Sequence, residues 1–228
     1  MPRRSQSMLD NLPLIVANFK ANKTWDEVAS WIQSVAPKAQ TFPGTVVISP
    51  SMPFISEASQ KIKDQSLKIK LASQDISKFE QGAATGEVAA SQIKDLAAYT
   101  LIGHSERRQN FGEDDKILAL KVQNAISAHI EPIFCVQGGD SPVPQGVKII
   151  AYEPLFAIGT GNPDDPANAK SMGQKLKTNG NYLVLYGGSV TAQNIKSFLK
   201  KGLLDGVLVG TASLDPQSFL KIIEAVSK

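Results

Sequence analysis

The sequence of 228 residues contains one cysteine, Cys135, and two histidines, His104 and His129. A single cysteine excludes an internal disulfide framework and a metal cluster held by several thiolates. No second histidine or cysteine stands at a metal-ligand spacing from His104, so we expect no metal site. Cys135 lies in an apolar run without an apparent base partner and is interpreted as a core thiol. His129 follows a helical pattern and is interpreted as a surface residue.

The sequence also lacks a long apolar segment and a strong charge of either sign. The N-terminal stretch "MPRRSQSMLDN" is basic but has no signal-peptide core, and no segment approaches membrane-spanning length. We therefore expect a cytoplasmic location and no membrane partner, with residues 1–11 forming a flexible tail. The net charge is only +3, and the lysines are spread along the chain. This distribution argues against nucleic acid as a partner.

Hydrophobic residues make up 42% and charged residues 20% of the chain, which are globular proportions. Short apolar runs rich in β-branched residues alternate with longer amphipathic or polar stretches. The apolar runs predict strands at residues 14–20, 45–50, 69–75, 99–105, 131–136, 147–153, 182–188 and 206–210. The stretches between and after them predict helices at residues 25–36, 53–64, 91–97, 114–128, 167–178, 191–200 and 216–227. Thr24 with Glu27, and Asp215 with Pro216, are helix-start signals.

Strands that are apolar throughout and alternate with helices indicate a parallel sheet buried on both faces. Eight such units favour an α/β fold of the (β/α)₈ barrel type, with residues 12–228 as one catalytic domain. One unit is incomplete, because residues 137–146, "QGGDSPVPQG", contain three glycines and two prolines. We expect this crossover to lack its helix, since ten extended residues reach about 33 Å and suffice to run back along the barrel. The exposed wall would be covered by neighbouring helices, by Val143 or by another subunit.

Polar side chains occur where several predicted strands end, which is the catalytic face of a barrel. The predicted first strand ends in Asn18 and Lys20, the fourth in His104 and Glu106, and the sixth in Glu153. Taken singly, Glu153 could be a solvated or capping acid, Lys20 a surface lysine and His104 a hydrogen-bonded structural residue. Taken together, a fixed carboxylate, an ammonium and an imidazole suit removal of a proton next to a carbonyl, with donors for the resulting enediolate.

Glycines follow the last three predicted strands, in "IGTG" (158–161), "YGGSV" (186–190) and "VGTAS" (209–213). One glycine-rich turn is common at any strand end, but three on successive strands fit a cup for a phosphate group. The site would then accept a small phosphorylated aldose or ketose. The loop at residues 79–88, "FEQGAATGEV", is long for a strand-to-helix connection and predicts an arm that inserts into a second copy of the chain.

These segments closely resemble the triosephosphate isomerase family. The resemblance covers residues 14–226 in order, and as a set its motifs are highly specific. They are "NFKAN" (18–22), "TGEVAASQIKD" (85–95), "GHSERRQNFGE" (103–113), "AYEPLFAIGTG" (151–161) and "YGGSV" (186–190).

The resemblance implies an isomerase of glycolysis and gluconeogenesis that needs no cofactor and interconverts dihydroxyacetone phosphate and D-glyceraldehyde 3-phosphate. It implies the family's known glutamate base, neutral histidine and closing loop. Glu153 would be the base, His104 the electrophile and Lys20 the cation beside the oxyanion, with Asn18 and Glu106 as polar supports. The loop from Pro154 to Gly161 would be the lid. The residues that would contact the phosphate are Gly159, Gly188, Ser189, Gly210 and Thr211. Ser105 and Glu106 would begin a helical turn whose N–H groups keep His104 neutral.

Some positions depart from the family pattern. Thr211 replaces a glycine, Phe156 replaces the lid tryptophan, and Gln137–Gly138 replaces a Gly-Glu pair. Two alternatives are a non-catalytic phosphosugar-binding paralogue of the same fold and another phosphate-binding barrel enzyme. The first requires neither base nor electrophile, and the second would lack the segment "GHSERR".

Overall fold

The computed structural model describes residues 11–158, 161–202 and 204–227. Eight parallel strands, each paired with the next, close into a barrel because the first also pairs with the last. The strands are β1 (Leu14–Asn18), β2 (Thr45–Ser49), β3 (Ile69–Ser73), β4 (Tyr99–Ile102), β5 (Glu131–Val136), β6 (Ile149–Tyr152), β7 (Leu183–Tyr186) and β8 (Gly206–Val209). The (β/α)₈ prediction is confirmed. The predicted tail lies outside the described residues apart from Asn11, whose carbonyl accepts a hydrogen bond from Thr45 Oγ1 at 2.9 Å.

Helices surround the barrel. They are α1 (Trp25–Thr41), α2 (Ile55–Asp64), α3 (Ala90–Ile93), α4 (Ser105–Asn110), α5 (Asp115–Ser127), α6 (Pro166–Asn179), α7 (Ile195–Leu199) and α8 (Pro216–Ala225). Short 3₁₀ turns occupy Met52–Phe54, Leu155–Ala157, Lys200–Gly202 and Thr211–Ser213. Among the described helices, none is both long and apolar enough to cross a bilayer.

The two faces of each strand belong to two different cores. In β1, Leu14 and Val16 pack inside the barrel, whereas Ile15 and Ala17 pack against the helices. Successive side chains of a strand point to opposite faces, so a strand covered on both sides reads as an unbroken apolar run. Gly206 lets β8 close on β1, because a Cβ atom there would lie 2.0 Å from the Leu14 carbonyl oxygen.

The predicted helix starts are confirmed at both ends of the chain. The Thr24 hydroxyl accepts from the Glu27 N–H at 3.4 Å, and the Thr24 N–H donates to the Glu27 carboxylate at 2.6 Å, which forms a capping box. The Asp215 carboxylate accepts from the Ser218 N–H at 2.9 Å at the start of α8. These local bonds satisfy amides that have no partner within their own helix.

Residues 137–146, all of them described, contain no helix, so the expected bare crossover is confirmed. The strap formed by these residues is tied to α6, where Asn179 Nδ2 donates to the Gly139 carbonyl at 3.0 Å and Lys175 Nζ pairs with Asp140 at 2.8 Å. Val143 packs against the core, as expected. The outward side chains of β5 and β6 are all buried, namely Phe134, Val136, Ile150 and Tyr152. The wall is therefore covered within one chain.

Several of the predicted strands and helices end at the wrong residues. β1 stops at Asn18 and β4 at Ile102, so Lys20 and His104 lie beyond their strands. The predicted helices at 91–97 and 191–200 shrink to Ala90–Ile93 and Ile195–Leu199. Helix α1 instead continues through Pro37 to Thr41, because Ala39 beyond the proline packs into the core and offsets the lost hydrogen bond.

Candidate active site

A cavity of about 480 Å³ opens at the carboxyl ends of the strands. Eight of the ten predicted site residues line it: Asn18, Lys20, His104, Glu153, Gly188, Ser189, Gly210 and Thr211. Glu106 reaches the site through an ion pair with Lys20 Nζ. Gly159 lies outside the described residues. The barrel thus brings together side chains that are far apart in the sequence.

Glu153 is a carboxylate fixed inside the barrel mouth, with 1% of its surface exposed. It directly follows β6, and its N–H donates to the Val136 carbonyl at 2.8 Å. Its Oε2 accepts a hydrogen bond from the Ser105 N–H at 2.8 Å. Its Oε1 lies 3.3 Å from His104 Nε2 and has no hydrogen bond to the described residues. One carboxylate oxygen is therefore held while the other is available to take a proton.

His104 sits at the N-cap of α4, a helix of 6 residues that the strand and helix predictions did not include. Its Nδ1 accepts a hydrogen bond from the Glu106 N–H at 3.3 Å, so the expected helical turn after His104 is present. An Nδ1 atom that accepts from an amide carries no proton, which places the ring proton of the neutral imidazole on Nε2. Nε2 is the nitrogen that faces Glu153. The imidazole can therefore donate a hydrogen bond into the cavity.

Lys20 adopts a left-handed backbone conformation, with φ of 52°. Its N–H donates to Asn18 Oδ1 at 3.0 Å, and its carbonyl accepts from Gln74 Nε2 at 2.8 Å and from Ser51 Oγ at 3.1 Å. Because this conformation is unfavourable for a side chain with a Cβ atom, the surrounding bonds must hold it. Sequence reasoning missed Gln74 and Ser51, although both closely follow the ends of their strands, which was the signal used for the other residues.

The glycines on the β7 side of the cavity are needed for close packing. A Cβ atom at Gly188 would lie 2.2 Å from Tyr186 Oη, and one at Gly187 would lie 2.9 Å from Glu153 Cγ. The Ser189 hydroxyl donates to the Ala157 carbonyl at 2.7 Å. These small residues let β7 approach the acid and the loop that follows it.

Thr211 opens a 3₁₀ turn at the end of β8. The Ser213 N–H donates to the Gly210 carbonyl at 2.8 Å, and the Leu214 N–H donates to the Thr211 carbonyl at 3.1 Å. Thr211 and Ala212 come before Ser213, which is the first residue whose N–H is bonded within this turn. The first amides of a helical turn have no partner inside it. Such amides are suited to an anion.

The loop after Glu153 rises from the barrel as a short turn. The Ala157 N–H donates to the Pro154 carbonyl at 2.8 Å, and Leu155 and Phe156 are exposed. Ile158 lines the cavity. The predicted lid continues into residues 159–160, which lie outside the described residues.

Cys135 is buried beside Glu153, as expected of a core thiol. Burial and then the negative charge of Glu153 raise the pKa of this thiol well above its usual value. Within the described ranges, no group of three or more histidine, cysteine, aspartate or glutamate side chains could hold a metal ion.

The sequence model described as triosephosphate isomerase matches residues 13–226. The chain belongs to the triosephosphate isomerase family.

Curated family members are similar over nearly their whole length. A triosephosphate isomerase of Mesomycoplasma hyopneumoniae (strain 232) is 35% identical over 92% of this chain and 98% of its own. That of Aquifex aeolicus (strain VF5) is 35% identical over 92% of this chain and 98% of its own. That of Hahella chejuensis (strain KCTC 2396) is 32% identical over 93% of this chain and 97% of its own. The chain therefore spans nearly the whole length of these relatives.

Two of the departures from the family motifs are Phe156, in the turn after Glu153, and Gln137, directly after β5. Phe156 has 64% of its surface exposed, and Gln137 Nε2 is buried without a hydrogen bond to the described residues. Phe156 thus places a phenyl ring, which has no N–H to donate, where the family pattern has a tryptophan.

Proposed function

We propose that this member of the family interconverts dihydroxyacetone phosphate and D-glyceraldehyde 3-phosphate through an enediolate. The observation that carries the proposal is the pairing of Glu153 with His104 in one cavity, with Oε1 and Nε2 3.3 Å apart. A carboxylate and an imidazole N–H that face the same space can act on adjacent atoms of one small substrate.

Glu153 is the proposed base. Its carboxylate takes a proton from the carbon next to the substrate carbonyl, and the electrons of that C–H bond form the enediolate. Returning the proton to the neighbouring carbon gives the isomeric product, so the reaction needs no cofactor. The Ser105 N–H on Oε2 directs Oε1 toward the reacting carbon.

His104 and Lys20 are the proposed donors to the oxygen that becomes negative. A neutral imidazole donates through Nε2 without first losing a charge, and the Lys20 ammonium supplies a fixed positive charge. Asn18 holds the Lys20 backbone, and Glu106 pairs with its ammonium and supplies the N–H bonded to Nδ1. These contacts support their proposed role as polar supports of the site.

The substrate phosphate would lie at the late strands, against Gly188, Ser189, Gly210 and Thr211. The resemblance adds Gly159, and closure of the loop from Pro154 to Gly161 would place Ile158 over the base. Excluding water in this way protects the enediolate from losing its phosphate. Of these contacts, the first amides of the turn at Thr211, which have no partner within that turn, support the proposal most directly.

We also propose that the enzyme acts in the cytoplasm as a homodimer or larger homo-oligomer through residues 79–88. This loop is exposed over most of its length, and its base is closed by a hydrogen bond from the Ser77 N–H to the Val88 carbonyl at 2.9 Å. A projecting arm of this kind suits insertion into a second copy.

The test is Glu153→Gln, with a coupled assay for dihydroxyacetone phosphate formation from glyceraldehyde 3-phosphate. The amide keeps the shape of the side chain but cannot accept the proton, so we expect kcat to fall at least about a hundredfold. A phosphorylated analogue such as glycerol 3-phosphate should still bind. The control is Glu57→Gln, the same change at an exposed position of α2, which should keep wild-type activity.

If Glu153→Gln retained wild-type kcat, the assignment of the base would be wrong. If the wild-type chain bound the analogue but did not isomerise the substrate, the result would favour the phosphosugar-binding alternative.

A further inference from the structure

Trp31 is a buried side chain of α1 that is bonded to the turn at the end of β8. Only 1% of its surface is exposed, and its indole N–H donates to the Ser213 carbonyl at 2.8 Å. A buried indole N–H needs such a partner. Ser213 is the last residue of the 3₁₀ turn Thr211–Ser213, and the last carbonyls of a helical turn have no partner inside it. One bond therefore satisfies both groups, although the two residues are 182 positions apart in the sequence.

The turn that Trp31 reaches is short and carries part of the proposed phosphate contacts. Within it, the Gly210 carbonyl accepts from the Ser213 N–H at 2.8 Å and from the Ser213 hydroxyl at 2.7 Å. A single 3₁₀ turn has poorer hydrogen-bond geometry than an α-helix, and the first turn of any helix is costly to form. Thr211 and Ala212, at its start, line the cavity. The direction of their amides thus depends on what holds the turn from outside.

The ring of Trp31 also packs against the end of β1. Phe19, which stands between Asn18 and Lys20 in the sequence, is buried and meets the indole edge to face, with ring centroids 5.0 Å apart. The ring centroid of Phe219, from α8, also lies 5.0 Å from that of the indole. Because aromatic neighbours hold the indole from two elements, its N–H is directed to one place.

The two segments that Trp31 contacts meet at the cavity. A Cβ atom at Gly210 would lie 3.6 Å from Lys20 Cε, which is an ordinary van der Waals distance. The Ser213 hydroxyl oxygen lies 3.5 Å from the Asn18 carbonyl oxygen. Trp31 itself is not among the described residues that line the cavity. It can therefore act on the site only through the residues that it holds.

We propose that Trp31 is a positioning residue for the substrate phosphate. Its indole N–H fixes the turn Thr211–Ser213 against the end of β1, so that the amides of Thr211 and Ala212 point into the cavity at a set distance from the Lys20 side chain. This inference rests on the proposed function. It assigns Trp31 no contact with the substrate.

Loss of this bond should weaken binding more than it slows the chemical step. A displaced turn would direct its amides less well at the phosphate, in the bound substrate and in the transition state alike. A loss of such uniform binding raises KM with little change in kcat. A purely structural role would instead lower the Tm and the amount of folded enzyme, which lowers the apparent kcat and leaves KM unchanged.

The experiment compares Trp31→Phe with Trp25→Phe, the same substitution at the first residue of α1 and at the only other tryptophan. Trp31→Phe keeps an aromatic ring and removes the N–H. We expect the KM for glyceraldehyde 3-phosphate and the Kd for glycerol 3-phosphate to rise about tenfold each, with kcat within about threefold of wild type. Trp25 packs against the core as a partly buried side chain, so Trp25→Phe tests the loss of indole packing alone and should keep all three values.

A spectroscopic measurement tests the contact without removing it. In ¹⁵N-labelled Trp25→Phe protein, Trp31 gives the single indole N–H resonance. We expect this resonance to shift when glycerol 3-phosphate saturates the cavity, because the anion polarises the turn to which the indole is bonded. If Trp31→Phe does not fold, this titration takes its place as the test.

Wild-type KM and Kd in Trp31→Phe, or an equal rise in Trp25→Phe, would overturn the inference. An indole resonance that does not move on saturation would overturn it as well. A wild-type chain without isomerase activity would contradict the proposed function itself. An active wild type with an unaltered Trp31→Phe variant would contradict only the role of Trp31.

Discussion

At the scale of single residues, Cys135 places a thiol beside the proposed base. A thiolate there would repel the Glu153 carboxylate, and it would lie in a fully buried position. The raised pKa of the thiol keeps it neutral. The cysteine thus fills space in the barrel core without competing for protons.

We predict that the native protein does not react with the thiol reagent DTNB at pH 8. The folded thiol is protonated and inaccessible, and only thiolates attack the reagent. In denaturant, the same sample should release one equivalent of thionitrobenzoate per chain, because Cys135 is the single cysteine. Rapid reaction of the native protein, without loss of its circular dichroism signal, would show that the thiol is neither buried nor protonated as described.

At the scale of elements, the strap at residues 137–146 stands in place of a helix. It is held to the rest of the barrel by a surface ion pair and by apolar packing, which differ in strength. The ion pair of Asp140 with Lys175 lies on the surface, where the Asp140 side chain is 90% exposed. Val143 instead packs against the core while partly buried, and Val147, directly after the strap, is buried in the core. Apolar burial should therefore contribute more to the stability of this wall than the ion pair does.

We predict that Val143→Ser lowers the free energy of unfolding by about 1–2 kcal/mol, since it removes partly buried apolar surface. Asp140→Asn, the matched change on the same strap, should lower it by less than about 1 kcal/mol. Denaturant unfolding measures both. The kcat of each variant should equal that of the wild type, because the strap lies on the outer wall. A larger loss for Asp140→Asn than for Val143→Ser would contradict this account of the wall.

At the scale of the whole molecule, the loop at residues 79–88 is the proposed contact between copies. Phe79 at its start is 50% exposed, and the tip at Thr85 is also exposed. An exposed aromatic side chain beside a projecting loop is typical of a surface that is covered by a partner.

We predict that the chain sediments as a dimer or larger species at micromolar concentration. Thr85→Arg should shift it toward monomer, because a charge would be buried at the contact. The control is Ser56→Arg on the exposed face of α2, which should leave the sedimentation unchanged. A wild-type chain that sediments only as monomer with full activity would rule out the proposed role of this arm.

Much of this molecule follows from local patterns in its sequence. Eight apolar runs separated by helical stretches predicted the closed barrel, since a strand buried on both faces must be apolar at nearly every position. The polar residues after those runs predicted the site, because a barrel gathers its strand ends at one face. Three glycines and two prolines in ten residues also predicted the bare strap.

The tertiary structure decided how these residues are held. Lys20 keeps its left-handed backbone through Gln74 and Ser51, which come from other units of the barrel. Glu153 is oriented by an amide 48 residues away, at Ser105. The Trp31 indole has its partner 182 residues away, at the Ser213 carbonyl. Each of these features depends on contacts between segments distant along the chain, and such contacts have no local periodicity by which a sequence could reveal them.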